Sequence, residues 1–404
     1  MSMIKIKTKL TIWDISQIFL ALLIISINIR EPFFHTREIL FALTIMFSLP
    51  FMDIRKAKYT MMLMAIWTVT VFYNLIIPGS DINFSNGGFE TIIISAYLLL
   101  MTFYQKRYAK VIINTYMFVS MLVALIVISV WISCYMSDSI FHNLQSFFID
   151  LQVTTGLSLF AIDRRMILGT RYLTVWYRTA PCMACALGYC LAQRLEGRKK
   201  NNIAIIILFI ALIFTGTRAN IISAMMLGSL YIVFKLYKKG CRLLPWILFS
   251  VVAIAAILFI VKFINDKDSL SSSIKILDTL AYLDIFKRDP IRALFFGYGP
   301  GTSFYSWGRQ KYVNVTENSL FETIRRYGLL STCIIMFGIW FAPFKGINFK
   351  RQMNYIKYFY CCVFAAFMLS ALSNPYLLDS FAFCTLLFFC IVFSYGTNMK
   401  GNNY

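Results

Sequence analysis

Residues 110–134 read KVIINTYMFVSMLVALIVISVWISC, twenty-five positions whose only charge, Lys110, stands at the edge. As an α-helix this stretch is about 37 Å long, enough to cross a hydrocarbon layer of roughly 30 Å. Inside that layer every backbone polar group needs a partner within the segment, so the helix is the form such a run takes. Similar runs recur at 10–29, 37–53, 59–77, 89–104, 172–193, 202–215, 219–236, 243–264, 318–343, 355–374 and 378–396. The fold class expected is therefore all-α, a polytopic membrane protein of about twelve spans forming one integral membrane domain over 1–404. Composition agrees: 59% of residues are hydrophobic, 17% aromatic and 14% charged, and mean hydropathy is +0.70, which excludes an ordinary soluble domain.

The basic residues orient these spans, because cytoplasmic flanks are enriched in Lys and Arg. With the N-terminus inside, 22 of the 39 Lys and Arg fall in cytoplasmic segments, while the outer turns at 78–88 and 375–377 carry none. Both termini are expected on the cytoplasmic side. The net charge of +21 then follows from topology and from attraction to anionic lipid, so no nucleic acid is implied as a partner. The first apolar run lacks an A-x-A-like cleavage site and is expected to stay as a span. Ten cysteines lie almost entirely within apolar runs. The one C-x-x-C, Cys182 to Cys185, reads as helix packing. The two histidines have no metal-ligating company, so no metal and no cofactor are expected.

Two outer segments are long, 135–171 and 265–317. In the first, SIFHNLQSFFIDL (139–151) sets Ile140, Phe141, Leu144, Phe147, Phe148 and Leu151 on one helical face, expected to lie on the bilayer surface. In the second, SIKILDTLAYLDIFKRDP (273–290) places Ile276, Leu277, Leu280 and Leu283 in a stripe, with Lys275, Asp278 and Tyr282 roughly opposite. Pro290 should end that helix. Ser319-x-x-Glu322 reads as a capping box opening the tenth span.

Charges near a membrane core are costly and face a cavity or a partner. Those that break the inside pattern gather at the outer ends of the spans: Arg164, Arg165, Arg171, Arg178, Arg218, Lys275, Arg288, Arg292, Arg325 and Arg326. Such a basic cavity suits a diphosphate, since the guanidinium fork holds phosphate oxygens and stabilises a departing pyrophosphate without a metal. Local roles compete with this: Arg325 and Arg326 stand three and four residues from Glu322, and Arg164 and Arg165 suit lipid headgroups. Glu317, at the start of the tenth span, is placed to accept a hydroxyl proton; the alternative is that it complements the helix dipole, worth about 0.3–1 kcal/mol. Tyr298 and Trp307, beside the GYGPG turn at 297–301, offer ring faces to sugars or sit at the interface.

Three stretches together resemble a known family. FTGTRAN (214–220), FFGYGPGTSF (295–304) and ENSLFETIRRYGLLS (317–331) are similar, in order and spacing, to motifs of the O-antigen polymerase and ligase superfamily, the Wzy-type membrane enzymes. RYLTVWYRTAPCMACALG (171–188) is a looser match, and the likeness spans about residues 165–345. The resemblance implies a metal-independent, inverting glycosyltransferase of the GT-C class in the bacterial cytoplasmic membrane. Its substrates would be undecaprenyl-diphosphate-linked oligosaccharides as donor and acceptor, used to build O-antigen, capsule or exopolysaccharide, beside a chain-length regulator. The implied catalytic residues are Glu317, Arg218 and Arg178. By the same resemblance Arg171, Lys275 and Asn318 bind substrate, and Arg288, Tyr298, Trp307 and Arg325 are expected beside them from their place in and next to the second long segment. Ligases carry His where this chain has Glu317, which favours the repeat-unit polymerase. A flippase for lipid-linked oligosaccharides also fits twelve spans, but predicts short outer loops and similar halves; no internal repeat is visible here.

Overall fold

The computed structural model describes residues 11–30, 36–77, 98–155, 159–167, 170–198, 201–240, 247, 250, 270–314, 316, 318–346, 355–372 and 376–395. The chain is mainly helical: α1 (Ile12–Ile29), α2 (Thr36–Ser48), α3 (Lys58–Ile76), α4 (Ala109–Met136), α5 (Asp138–Thr155), α6 (Pro181–Leu195), α7 (Asn202–Phe214), α8 (Arg218–Lys238), α9 (Leu270–Arg288), α10 (Pro290–Phe295), α11 (Ser319–Tyr327), α12 (Leu329–Ile335), α13 (Tyr355–Leu372) and α14 (Ser380–Tyr395). Two antiparallel hairpins interrupt them, β1 (Phe160–Ile167) with β2 (Thr170–Tyr177) and β3 (Phe304–Ser306) with β4 (Lys311–Val313).

Among the described residues four helices are long and apolar enough to cross a membrane: α1, α3, the helical stretch Lys106–Met136 that contains α4, and α8. Shorter apolar helices accompany them at Asn202–Phe214, Leu329–Trp340, Ile356–Leu372 and Ser380–Tyr395. This is a membrane protein built from helices. The expected fourth and ninth spans, at 89–104 and 243–264, lie largely outside the described residues.

Burial sorts the helices into layers. Helices α6 and α14 are buried nearly all round, Pro181 to Leu195 and Ser380 to Phe393, as central helices must be. Helices α4, α8 and α13 pack around them. A Cβ on Gly188 would fall 2.4 Å from Val363 Cγ1, so glycine lets α6 and α13 approach closely. On the periphery, α7 turns Leu208, Ala211 and Leu212 inward and leaves Ile203, Ile206 and Ile210 exposed. Exposed isoleucines spaced three and four apart form the face a hydrocarbon solvent would cover.

Three expectations change. The run 172–193 is not one helix: its first part is strand β2, and the helix starts at Pro181, a residue suited to the first helical turn. The run 318–343 is also divided, by Gly328 at φ 84, into the polar α11 and the apolar α12, which passes into a π-helical turn at Met336–Trp340. The polar α11 is not among the helices apolar enough to cross a membrane. Finally, α5 buries Phe141 and Leu151 and packs Leu144 and Phe148 against the main core. Phe148 meets Phe160 of β1 with ring centroids 4.6 Å apart, so only Ile140 and Phe147 of the expected face remain exposed.

The second long segment folds into a small body with a core of its own, Ala281, Tyr282 and Phe304, flanked by Ile285, Phe286, Val313 and Phe321. Helix α9 stops at Arg288, before Pro290, as expected, and Asp289 caps α10 through Arg292 N. Its Asp278 and Tyr282 point inward while Ile276, Leu277, Leu280 and Leu283 are exposed. That apolar outer stripe suits a helix resting on a bilayer surface.

Candidate functional site: an arginine cluster at one end of the bundle

Two charged clusters form at this end of the bundle, and they differ in what they leave open. The first is the keystone of the small body. Glu322, 5% exposed, takes a forked pair of bonds from Arg325, Nη2 to Oε1 at 2.7 Å and Nε to Oε2 at 3.2 Å. Arg326 Nε adds 2.6 Å to Oε1, and the Tyr282 hydroxyl donates to Oε2 at 2.6 Å. Arg325 also reaches Thr302 Oγ1 at 2.7 Å and Asn314 O at 3.1 Å. Burial opposes the charge on Glu322, but the two guanidiniums outweigh it and hold the carboxyl down to about 2.

This network is anchored by backbone. Tyr298 N donates to Arg325 O at 2.6 Å and Gly299 N to Arg326 O at 3.0 Å, joining the GYGPG turn to the end of α11. Gly297 has φ 65, and a Cβ there would stand 2.5 Å from the Arg326 carbonyl; one on Gly328 would stand 2.7 Å from the Phe295 carbonyl carbon. Both glycines are required by close approach. Arg292 closes the same joint, bonding Asn74 Oδ1 from Nε at 3.1 Å and lying 4.5 Å from the Tyr298 ring. All of these groups serve structure. Arg325, 1% exposed and committed on every side, does not fit the substrate-binding role expected of it.

The second cluster is built by three chain crossings. Helix α1 ends with its last carbonyls satisfied from outside: Thr179 Oγ1 donates to Asn28 O at 2.7 Å and the Tyr177 hydroxyl donates to Ile29 O. Arg30 then closes the helix in the left-handed region at φ 59. These bonds fix the β2–α6 junction against α1 and bring Arg178 to Arg30. Asp379, just before α14, receives Arg30 Nη2 at 2.8 Å and Arg178 Nη2 at 3.2 Å. Arg30 and Asp379 are buried, 7% and 6% exposed, while the Arg178 side chain keeps 25% of its surface. Burial pushes the Arg30 guanidinium down to about 10, and nearby Arg178 and Arg37 push the same way against Asp379.

The turn carrying Asp379 also touches the start of α11. Tyr376 N donates to Ser319 Oγ at 3.0 Å, and Asp379 N to Tyr376 O at 2.9 Å. Ser319 is therefore not the cap of a capping box. Asn318 caps α11 instead, its side chain accepting from Phe321 N at 3.3 Å, and Glu322 turns to the arginines.

The other expected site residues scatter. Glu317 lies outside the described residues, as does the Arg165 side chain. Arg171 is exposed near the far end of β2, opposite Met166; with about 3.3 Å of rise per strand residue it stands roughly 20 Å from Arg178, too far to share one diphosphate. Arg164 bonds Asp138 and lies 4.6 Å from the Phe141 ring. Arg218 opens α8, half-buried, after a turn pinned to β2: Gly216 has φ 61 and a Cβ there would meet Thr174 at 2.0 Å. Lys275 is half-buried on α9, Trp307 is exposed in the β3–β4 turn, and Tyr298 donates to Ile285 O at 3.1 Å. Arg288 is exposed and pairs with Asp284 at 2.5 Å.

Sequence reasoning missed Arg30 and Asp379. Arg30 closes the first apolar run, and under the expected topology it breaks the inside pattern as Arg178 does, so the same criterion selects it. No family model, curated protein or solved structure matches the chain.

Proposed function

We propose that the chain is a polysaccharide repeat-unit polymerase, moving a growing glycan from undecaprenyl diphosphate onto the next lipid-linked repeat unit at the outer face of a bacterial cytoplasmic membrane. The observation that carries this reading is the Arg30–Asp379–Arg178 cluster, a partly open basic site next to the start of α11, where Asn318 and Ser319 follow Glu317 in the chain. The resemblance of residues 165–345 to Wzy-type enzymes supports it independently.

In this reading the acceptor hydroxyl attacks the anomeric carbon from the face opposite the diphosphate, so the configuration inverts. The hydroxyl proton passes to Glu317. The bond from the anomeric carbon to the diphosphate oxygen breaks, and its electron pair leaves with the undecaprenyl diphosphate. Arg178 bonds the diphosphate as negative charge grows on it, and Arg218 and Lys275 are the further cations assigned to it in this reading. Stabilisation of this kind acts most strongly where water is excluded. Asp379 is a poor candidate for the base, because two guanidiniums occupy its oxygens.

The test is cellular. Arg218→Ala or Glu317→Gln should leave the protein inserted at normal abundance while lipid-linked single units accumulate and polymer disappears. Polymer of ordinary length from a stably expressed Glu317→Gln variant would remove Glu317 from the chemistry.

A further inference from the structure

The arginine cluster is incomplete as it stands. Arg30 spends one nitrogen, Nη2, on Asp379; among the described residues its Nε and Nη1 have no hydrogen-bond partner although they are buried. A buried guanidinium with donors unmet is costly, and the left-handed backbone at Arg30, φ 59, adds strain of its own. Proteins keep such arrangements where they serve a site. The charges point the same way. Arg30 and Arg178 share a single carboxylate, and Arg37, close enough to repel Arg30, is itself 3.6 Å from Glu38. Among the described residues these pairs leave one positive charge over. The N-terminal ends of α6, three residues after Arg178, and of α14, directly after Asp379, add their positive dipole ends.

We propose that Arg30 and Arg178 together form an anion site for the phosphate oxygens of an amphiphile, with Asp379 holding both guanidiniums in place. The unmet Nε and Nη1 donors of Arg30 take the oxygens, and the partly exposed Arg178 is the open side through which the anion arrives. Two sources carry that chemistry, a prenyl diphosphate and the headgroup of an anionic phospholipid. Naming the first rests on the polymerase reading; the site itself does not.

The test needs no turnover. The full chain, in nanodiscs of phosphatidylcholine, is titrated with inorganic pyrophosphate, farnesyl diphosphate and farnesol, and is compared in nanodiscs containing phosphatidylglycerol. The diphosphates should bind and the alcohol should not, and Arg30→Gln should weaken binding about tenfold or more, as loss of hydrogen bonds to a charged group does. Arg30→Lys should keep part of the affinity. A folded Arg30→Gln variant that binds farnesyl diphosphate as tightly as the parent overturns the proposal. A second variant separates binding from a purely internal lock. Asp379→Asn removes the carboxylate that Arg30 and Arg178 share, so the melting temperature should fall without anion and recover with pyrophosphate. A fall that no anion repairs also overturns the proposal. Arg30-dependent binding of phosphatidylglycerol alone upholds the site and assigns it to the bilayer. Binding retained by a chain that fails to polymerise lipid-linked units would sink the polymerase reading and leave the site standing.

Discussion

Replacing Glu322 with glutamine removes one charge from the middle of the small body and takes from Arg325 and Arg326, 1% and 8% exposed, the carboxylate they share. The carboxylate takes three bonds from the two guanidiniums and one from Tyr282; the amide retains a single acceptor oxygen for all four. Breaking one partner of a buried ion pair costs about 3–5 kcal/mol. The acidity of the group gives a similar figure: a carboxyl held at about 2 instead of 4.5 corresponds to about 3 kcal/mol. The loss should be local, because Tyr282, Phe304 and their neighbours form a core separate from that of the bundle. Hydrogen exchange on the purified protein in nanodiscs reads it directly. Amides in 276–288 and 298–327 should exchange about a hundredfold faster or more in Glu322→Gln, while α6 and α14 keep their protection. The parent should behave likewise in acid. A carboxyl with depressed pKa contributes its full stabilisation above its ordinary value near 4.5 and loses it as pH falls toward 2. Unchanged exchange in the variant, or loss spread evenly through the bundle, would refute this account of the network.

Further perturbations test the joints around it. Gly328→Ala forces a Cβ to within 2.7 Å of the Phe295 carbonyl carbon at φ 84, and should destabilise the body by at least the 1–2 kcal/mol of left-handed strain, read as faster exchange at 295–299. An unaltered exchange pattern would show that the turn and α11 do not meet as described. Arg288→Ala breaks only an exposed pair with Asp284, so stability should stay within about 0.5 kcal/mol; under the proposed function polymer length should also be unchanged, and loss of polymer would return Arg288 to the substrate contacts.

Much of the membrane character was legible because it depends on local composition: a run such as 110–134 can only be satisfied as a helix in hydrocarbon. Pro290 likewise marked the end of α9 through its own geometry. What stayed hidden depends on distant partners or on two patterns fused. TRYLTVWY joins PCMACALGYC in one apolar run, and a hydropathy window does not separate a strand from the helix after it, although Thr174, Val175 and the aromatic residues are typical of strands. Ser319 matched a capping box by spacing, yet its hydroxyl is taken by Tyr376 from 57 positions away. Arg30 can be found by its charge, but its partner cannot, because Asp379 lies 349 residues further on. Of the expected site, Arg178 falls in a basic cluster, Arg325 is locked into the small body, and Glu317 lies outside the described residues.

The central claim is the transfer itself, and purified protein with lipid-linked repeat units tests it most directly. The account predicts a ladder of lengthening, lipid-linked glycan from the parent chain and none from Glu317→Gln. Movement of the lipid across the bilayer without a ladder, transfer to a different acceptor, or an undiminished ladder from Glu317→Gln would contradict it.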